Sequence, residues 1–280
     1  WHTLSLHDAL PIYTIDEPQI TTALPNLPQG WVGRTIAVIS DFQVGMWADN
    51  GATVRRTVDR IMRRRPDAVL VLGDFIYHGG DRAAGRIEQA VDLLRPLTEA
   101  NIEVVSVLGN QDYSVASYVD PAIDEERATQ LTKALEAEGI TVLENAAITL
   151  EAEGEELYVI GIGSLMAERS RPSKALHEVP EPAARLVILH NPTSFGDLPA
   201  GSAPFAAAGH THGGQFRLPF TPSWSWITFF REEEVHADGW IHDYGAEGNQ
   251  LYVNRGIGFS KIPLRLNCPP ELTWITLAGD

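Results

Sequence analysis

Side chains able to hold a metal or move a proton recur at five places, each directly after an apolar run. Asp41-Phe42-Gln43 ends the run from Thr35 to Ser40, and Gly73-Asp74 ends the one from Ala68 to Leu72. Gly109-Asn110-Gln111-Asp112 follows Ile102 to Leu108. His190 follows Leu186 to Leu189, and Gly209-His210-Thr211-His212 follows Ala206 to Ala208. Residues i and i+2 of extended chain point to one side, so Asp41 can converge with Gln43 and His210 with His212. Gly209, Gly213 and Gly214 let the chain turn sharply beside them. Carboxylates, carboxamides and imidazoles together suit hard or borderline divalent ions such as Mn²⁺, Zn²⁺ or Mg²⁺. Taken singly, none of the five is specific. An Asp after a strand is usually a turn former or helix cap, and a lone His is usually a satisfied buried side chain. The weight lies in five clusters in one order.

Bringing them together requires strands whose carboxyl ends meet, which is where α/β sheets form their ligand crevices. The apolar runs named above read as buried strands, and Leu157 to Ile162 as another. Val54, Val58, Ile61 and Met62 recur at helical spacing, with arginines at 55, 56, 60 and 63–65 on a solvated face and Pro66 as the stop. Arg82 to Ala100 reads as a helix that Pro96 kinks or ends, and Asp124 to Glu138 as a helix with Gly139 closing it. Leu251 to Leu277 holds several short β-like runs. There is no internal repeat, so residues 31–280 form one expected α/β domain, with 13–30 an irregular lead-in rich in Pro and Thr. Residues 1–12 read as a translated sequencing adapter: His2 to Ile12 spell HTLSLHDALPI, and a signal or anchor ahead of Tyr13 is therefore expected to be lost from view.

Composition excludes several classes. The 280 residues carry 21 Lys and Arg against 37 Asp and Glu, a formal charge of −16, so general nucleic-acid binding is not expected. A single cysteine, Cys268, allows no internal disulfide and no CxxC zinc site. No apolar run is long enough to span a bilayer. There is no G-x-S-x-G elbow, no Walker-type GK[ST], no HExxH and no G-x-G-x-x-G after a strand.

The ordered set resembles the calcineurin-like metallophosphoesterases, whose signature runs DxH, GD, GNH(D/E), a single H, then GHxH. The GHTHGGQ stretch at 209–215 and Tyr252 to Gly258 look like a bacterial branch of that family. The resemblance implies a four-layer αββα sandwich with two central mixed β-sheets. It implies one metal held by Asp41, Gln43, Asp74 and His212, and a second held by Asp74, Asn110, His190 and His210, with Asp74 bridging. Asp74, Asn110 and Gln111 then carry the catalytic roles. Two ions about 3.5–4 Å apart clamp the phosphoryl oxygens, and a metal-bridging hydroxide attacks phosphorus in line. Mn²⁺ is the first choice of metal, with Mg²⁺, Zn²⁺ or Fe as others.

The implied activity is hydrolysis of phosphoesters or phosphate anhydrides, including nucleotide-linked or lipid-linked pyrophosphates. Two positions depart from the family pattern, both from His to Gln. Gln43 offers a neutral oxygen in place of an imidazole nitrogen, which tilts the first site toward Mn²⁺ or Mg²⁺. Gln111 can donate a hydrogen bond but cannot titrate, and general acid–base help is worth about 10²–10⁴-fold. The expectation is a steep preference for good leaving groups. Asp112 and His78 are the candidates to replace the lost acid, though Asp112 is read as structural and His78 as an exposed loop residue. A second function follows from the same changes, a degenerate, weakly active metal- and phosphate-binding protein. Retention of Asp41, Asp74, Asn110, His190, His210 and His212 favours catalysis. Aromatics crowd between Phe216 and Tyr244 as a substrate lip, a peripheral membrane contact, or a hairpin packing its own rings. Arg255 is read as either a phosphate contact or half of an ion pair. The expected substrate is a phosphorylated small molecule or lipid-linked compound, and the expected location the cytoplasm or the face of the cytoplasmic membrane.

Overall fold

The computed structural model describes residues 14–77, 83–116, 122–217, 237–242 and 244–280. The β-branched and apolar runs form two six-stranded sheets. The first contains β1 (Gln19–Leu24), β2 (Thr35–Ile39), β3 (Ala68–Val71), β4 (Glu103–Ser106), β5 (Thr141–Val142) and β12 (Thr273–Gly279), in the order β1-β12-β2-β3-β4-β5. The second contains β6 (Ala146–Ala152), β7 (Glu155–Ile162), β8 (Arg185–Leu189), β9 (Ala206–Ala208), β10 (Gly239–Ile241) and β11 (Leu251–Val253), in the order β10-β11-β9-β8-β7-β6. Both are mixed: β2 to β5 run parallel while β12 pairs antiparallel with β2, and β7, β8, β9 and β11 run parallel between antiparallel β6 and β10.

Alternation along the strands separates the layers. Ala37, Ile39, Val69, Val71 and Val104 face α1 (Gly51–Arg64), α2 (Ala83–Glu99) and α3 (Glu125–Ala137). Their neighbours Ile36, Val38, Ala68, Leu70 and Val105 meet Leu157, Val159, Leu186 and Ile188 of the other sheet. Ile160, Ile162, Val187 and Leu189 turn outward onto Ala175 of α4 (Pro172–His177) and Phe195. The result is the expected helix–sheet–sheet–helix sandwich. Strands buried on both faces read as unbroken apolar runs, which is why the central ones were legible.

Two local expectations change, and a third holds. The stretch 13–30 is not irregular throughout: Gln19–Leu24 is an edge strand in parallel register with β12, Gln19 opposite Trp274. Its sequence QITTAL buries only Thr22 and Leu24, so pairing with β12, and not its own hydrophobicity, makes it a strand. Pro96 does not end α2, which runs on to Glu99. A proline costs a helix the N–H bond to residue i−4, here tolerated within three residues of the end. Asp124 caps α3 by accepting the Arg127 N–H at 3.0 Å, and Gly139 takes the left-handed φ of +80° just past the helix end.

Candidate metal centre

Five parallel strands deliver the polar clusters to one edge of the sandwich. Register aligns Ile39 with Val71, Val71 with Ser106, and Leu189 with Ala208, so the residues that follow emerge level with one another. Backbone bonds lock the emerging loops together: Asp41 N–H donates to Gly73 O (3.0 Å), Gln43 N–H to Asp74 O (3.0 Å) and Gly209 N–H to His190 O (3.1 Å). Convergence does not come from extended chain, as the i, i+2 spacing suggested. Asp41, Gln43, Asp74, His210 and His212 all hold left-handed backbone, with φ between 51° and 72°. This conformation costs a non-glycine residue roughly 1–3 kcal/mol, and its clustering here marks a constrained site. The loops can close this tightly because Gly73 and Gly109 lack Cβ atoms. A Cβ on Gly73 would lie 2.4 Å from Gly109 N, and one on Gly109 would lie 2.2 Å from Asp74 Oδ1.

All seven residues expected to bind metal are buried and gathered here. Two sets have ligand atoms within 4.8 Å of one another: Asp74 with His190 and His210, and Asp41 with Asp74 and His212. Asp74 belongs to both. His190 Nε2 is 3.3 Å from Asp74 Oδ1, 3.0 Å from Asn110 Oδ1 and 3.2 Å from His210 Nδ1. His212 Nε2 is 3.5 Å from Asp41 Oδ1, and Gln43 donates to Asp74 Oδ2 at 2.7 Å. Asp41 Oδ1 and Gln43 Oε1 are buried without a hydrogen-bond partner. A buried carboxylate oxygen left without a partner is costly, and a divalent cation is the partner this donor set fits. Turning the Gln43 carboxamide over exchanges its nitrogen and oxygen and presents the carbonyl as a ligand.

Electrostatics follow from the crowding. Burial alone would neutralise Asp74, but the charge and hydrogen bond of His190, with His210 and the Gln111 N–H, hold its carboxyl below the usual range. Burial opposes charge on His190 too, yet the adjacent Asp74 carboxylate raises its pKa to about 9. Burial keeps His212 below its ordinary value. Asp112 is pushed up to about 7 by burial and by the charge of Asp74, against the N–H donors around it.

The expected auxiliary residues divide. Gln111 lines the cavity beside the ligands, and its backbone N–H donates to Asp74 Oδ1 at 2.8 Å. Asp112 is fully buried, with both oxygens engaged by the N–H groups of Asp74 (2.9 Å), Gly109 (2.8 Å) and Ile76 (3.1 Å), so it ties the loops together. Arg255 is the ion-pair case, 2.6 Å from Glu271 and bonded to Asp16. Of the aromatics between 216 and 244, Phe216 lines the cavity. Trp240 packs edge-on against Phe205 and Tyr252, and Tyr244 lies on Phe195, so those two belong to the second sheet's packing. Phe220, Trp224, Trp226, Phe229, Phe230 and His78 lie outside the described residues, as do residues 1–12.

Three residues were not singled out from the sequence. Arg265 is wholly buried and donates to the carbonyls of Gly258 (2.8 Å), Arg255 (2.8 Å) and His212 (3.2 Å), joining the His212 loop to the loop behind Asp41. Gln215 clamps the segment around residue 261, and Lys261 itself lines the cavity. Nothing in a lone Arg, Gln or Lys within short irregular runs distinguishes it from a surface residue. The final Q of GHTHGGQ was the one available signal.

The family model described as calcineurin-like phosphoesterase matches residues 34–253. The chain is 30% identical over 216 residues to Phosphodiesterase YaeI of Escherichia coli (strain K12), covering 77% of this chain and 72% of that protein. It is 25% identical over 276 residues to the metallophosphoesterase YkuE of Bacillus subtilis (strain 168), covering 95% and 86%. It is 24% identical over 281 residues to the UDP-2,3-diacylglucosamine pyrophosphatase LpxG of Chlamydia muridarum (strain MoPn / Nigg), covering 86% and 82%. Strand-end carboxylates and histidines gathered around a shared Asp74, together with a family match spanning most of the chain, lead to one conclusion: this protein belongs to the calcineurin-like phosphoesterases, a dimetal-dependent family of hydrolases.

Proposed function

We propose that the chain hydrolyses phosphodiesters or phosphoric anhydrides with two divalent ions, Mn²⁺ being the preferred metal. The observation that carries this is the pair of ligand sets sharing buried Asp74 at the floor of a cavity of about 290 Å³. Asp41, Gln43, Asp74 and His212 would hold one ion, and Asp74, Asn110, His190 and His210 the other. When bound, such a pair supplies Lewis acidity to the phosphoryl oxygens and makes water nucleophilic at neutral pH.

The chain's own residues set the rest. Asp112 and the Gln111 N–H fix Asp74, and Leu72 O accepts from His190 Nδ1 at 2.7 Å, directing Nε2 inward. The Asn110 amide donates to Val115 O at 2.6 Å, which leaves its Oδ1 as the donor atom toward the site. Gln111 can orient a leaving oxygen but has no proton to give at neutral pH. Asp112 cannot stand in, since its oxygens are taken and it does not line the cavity. Good leaving groups, anhydrides among them, are therefore favoured.

The test uses metal-stripped protein refilled with Mn²⁺, assayed on bis-p-nitrophenyl phosphate. Turnover that needs metal and disappears in Asp74→Asn supports the proposal. Stoichiometric metal binding with no turnover of any phosphoester or anhydride would establish the weakly active binding protein instead.

A further inference from the structure

Beyond the metal ligands, the cavity is walled by Gln215, Phe216, Ser260, Lys261 and Ile262. Lys261 is the one Lys or Arg among the described lining residues, in a chain of net charge −16. Its placement is constrained. Lys261 holds left-handed backbone at φ 63°, and Gln215 grips the chain on both sides of it. Ser260 N–H donates to Gln215 Oε1 (2.5 Å), and Gln215 Nε2 donates to Ile262 O (3.3 Å) and Leu264 O (3.4 Å). Gln215 directly follows the 3₁₀ turn His212–Gly214. One carboxamide thus couples the segment that carries the cation to the segment that carries a metal ligand.

A monoester or simple diester carries its charge on the one phosphoryl group that the metals take. A lysine on the cavity wall has most use where the substrate carries a second anionic group. Resting on the hydrolase function proposed above, we infer that Lys261, positioned by Gln215, is the subsite for the second phosphoryl group of a pyrophosphate-linked substrate. Hydrolysis forms a bond from water oxygen to the attacked phosphorus and breaks the bond from that phosphorus to the bridging oxygen. The electron pair leaves on the bridging oxygen as part of the second phosphate, and the water proton passes to solvent. The ammonium of Lys261 stabilises the charge that accumulates on the departing phosphate, which needs no proton and so no acid at Gln111. Phe216 and Ile262, the latter 47% exposed, offer an apolar surface to whatever the second phosphate bears.

Calorimetric titration of the Mn²⁺-loaded full chain tests this without relying on turnover. The probes are α,β-methylene-ADP, a diphosphate that cannot be cleaved, and AMP. Lys261→Gln should weaken the diphosphate relative to AMP by about tenfold or more, the scale of a hydrogen bond to a charged group. Lys261→Arg should restore the ratio to within about threefold. Gln215→Glu, which sets an acceptor against two carbonyls, should lower the ratio while Lys261 remains present. In parallel, kcat/KM for UDP-glucose relative to bis-p-nitrophenyl phosphate should fall with the binding ratio. A diphosphate-to-AMP ratio unmoved by Lys261→Gln would overturn the subsite and leave the hydrolase function standing. Absence of all turnover would overturn the hydrolase function, while the binding ratio would still report on Lys261.

Discussion

The two halves of the proposed metal centre share Asp74 but are held in different ways. On the side of His190, donors are fixed by the protein: His190 by Leu72 O, Asn110 by Val115 O, and the two histidines by their mutual contact. On the side of Asp41, three buried polar atoms have no hydrogen-bond partner, namely Asp41 Oδ1, Gln43 Oε1 and His212 Nδ1. Gln43 there donates its amide to Asp74 Oδ2, in the direction from which a cation would be bound. The first half is therefore preorganised by hydrogen bonds, whereas the second depends on a cation for its full satisfaction. Donor chemistry differs in the same sense. In the proposed assignment Asp41, Gln43, Asp74 and His212 would supply mostly oxygen, while His190 and His210 would give the other half two nitrogens, so the two halves should rank metals differently.

Removing the shared residue should erase the difference. Asp74→Asn is expected to reduce activity by about 10³-fold or more, because several kcal/mol of charge stabilisation depend on both ions, and bound metal should fall below two per chain by elemental analysis. Gln111→His leaves both halves intact and acts on the leaving group alone. It should raise kcat on alkyl phosphoesters by about 10²-fold or more while changing p-nitrophenyl esters far less, with metal content unchanged. Gln43→His should sharpen the contrast from the other side, tightening Zn²⁺ at the Asp41 half by about tenfold in calorimetric titration, the scale on which changes around a metal alter affinity. Equal response of the two halves to that substitution would show them to be one undivided site.

Proton linkage should belong to the His190 half. In the metal-free protein the His190 pKa stands at about 9, so imidazolium pairs with Asp74 at neutral pH and must lose a proton before it can act as a ligand. Metal affinity of that half should rise as pH rises toward about 9, with proton release visible in buffers of different ionisation enthalpy. The sign for folding is opposite. A raised histidine pKa stabilises the metal-free fold fully below its unfolded value of about 6.5, and that contribution is lost as pH rises through about 9. His190→Ala should flatten the pH dependence of both the metal-free melting temperature and metal uptake.

Much of this was legible in the chain because buried parallel strands must be apolar throughout, and a polar residue just past such a run stands out. Thr35 to Ser40 and Ala68 to Leu72 are of this kind, and Asp41 and Asp74 mark their ends. Gln19–Leu24 was not legible, since an edge strand with two adjacent threonines owes its form to its neighbour. Asp112 was visible as part of GNQD, but its occupation by three backbone N–H groups is a property of loops brought together by separate strands.

The layers were implied by the family resemblance, whereas local pattern and residue type determined the α/β class, the order of the strands that carry chemistry, and which side chains could meet a metal. These are short-range consequences of periodicity and burial, written along the chain. Only the tertiary structure decided how those side chains converge, through left-handed backbone and not extended chain, and which half of the site is prearranged. Only it placed Lys261, through Gln215, beside ligands that lie dozens of residues before it in sequence. Hydrogen bonds between distant loops depend on registers set by whole sheets, and no window of sequence contains both partners.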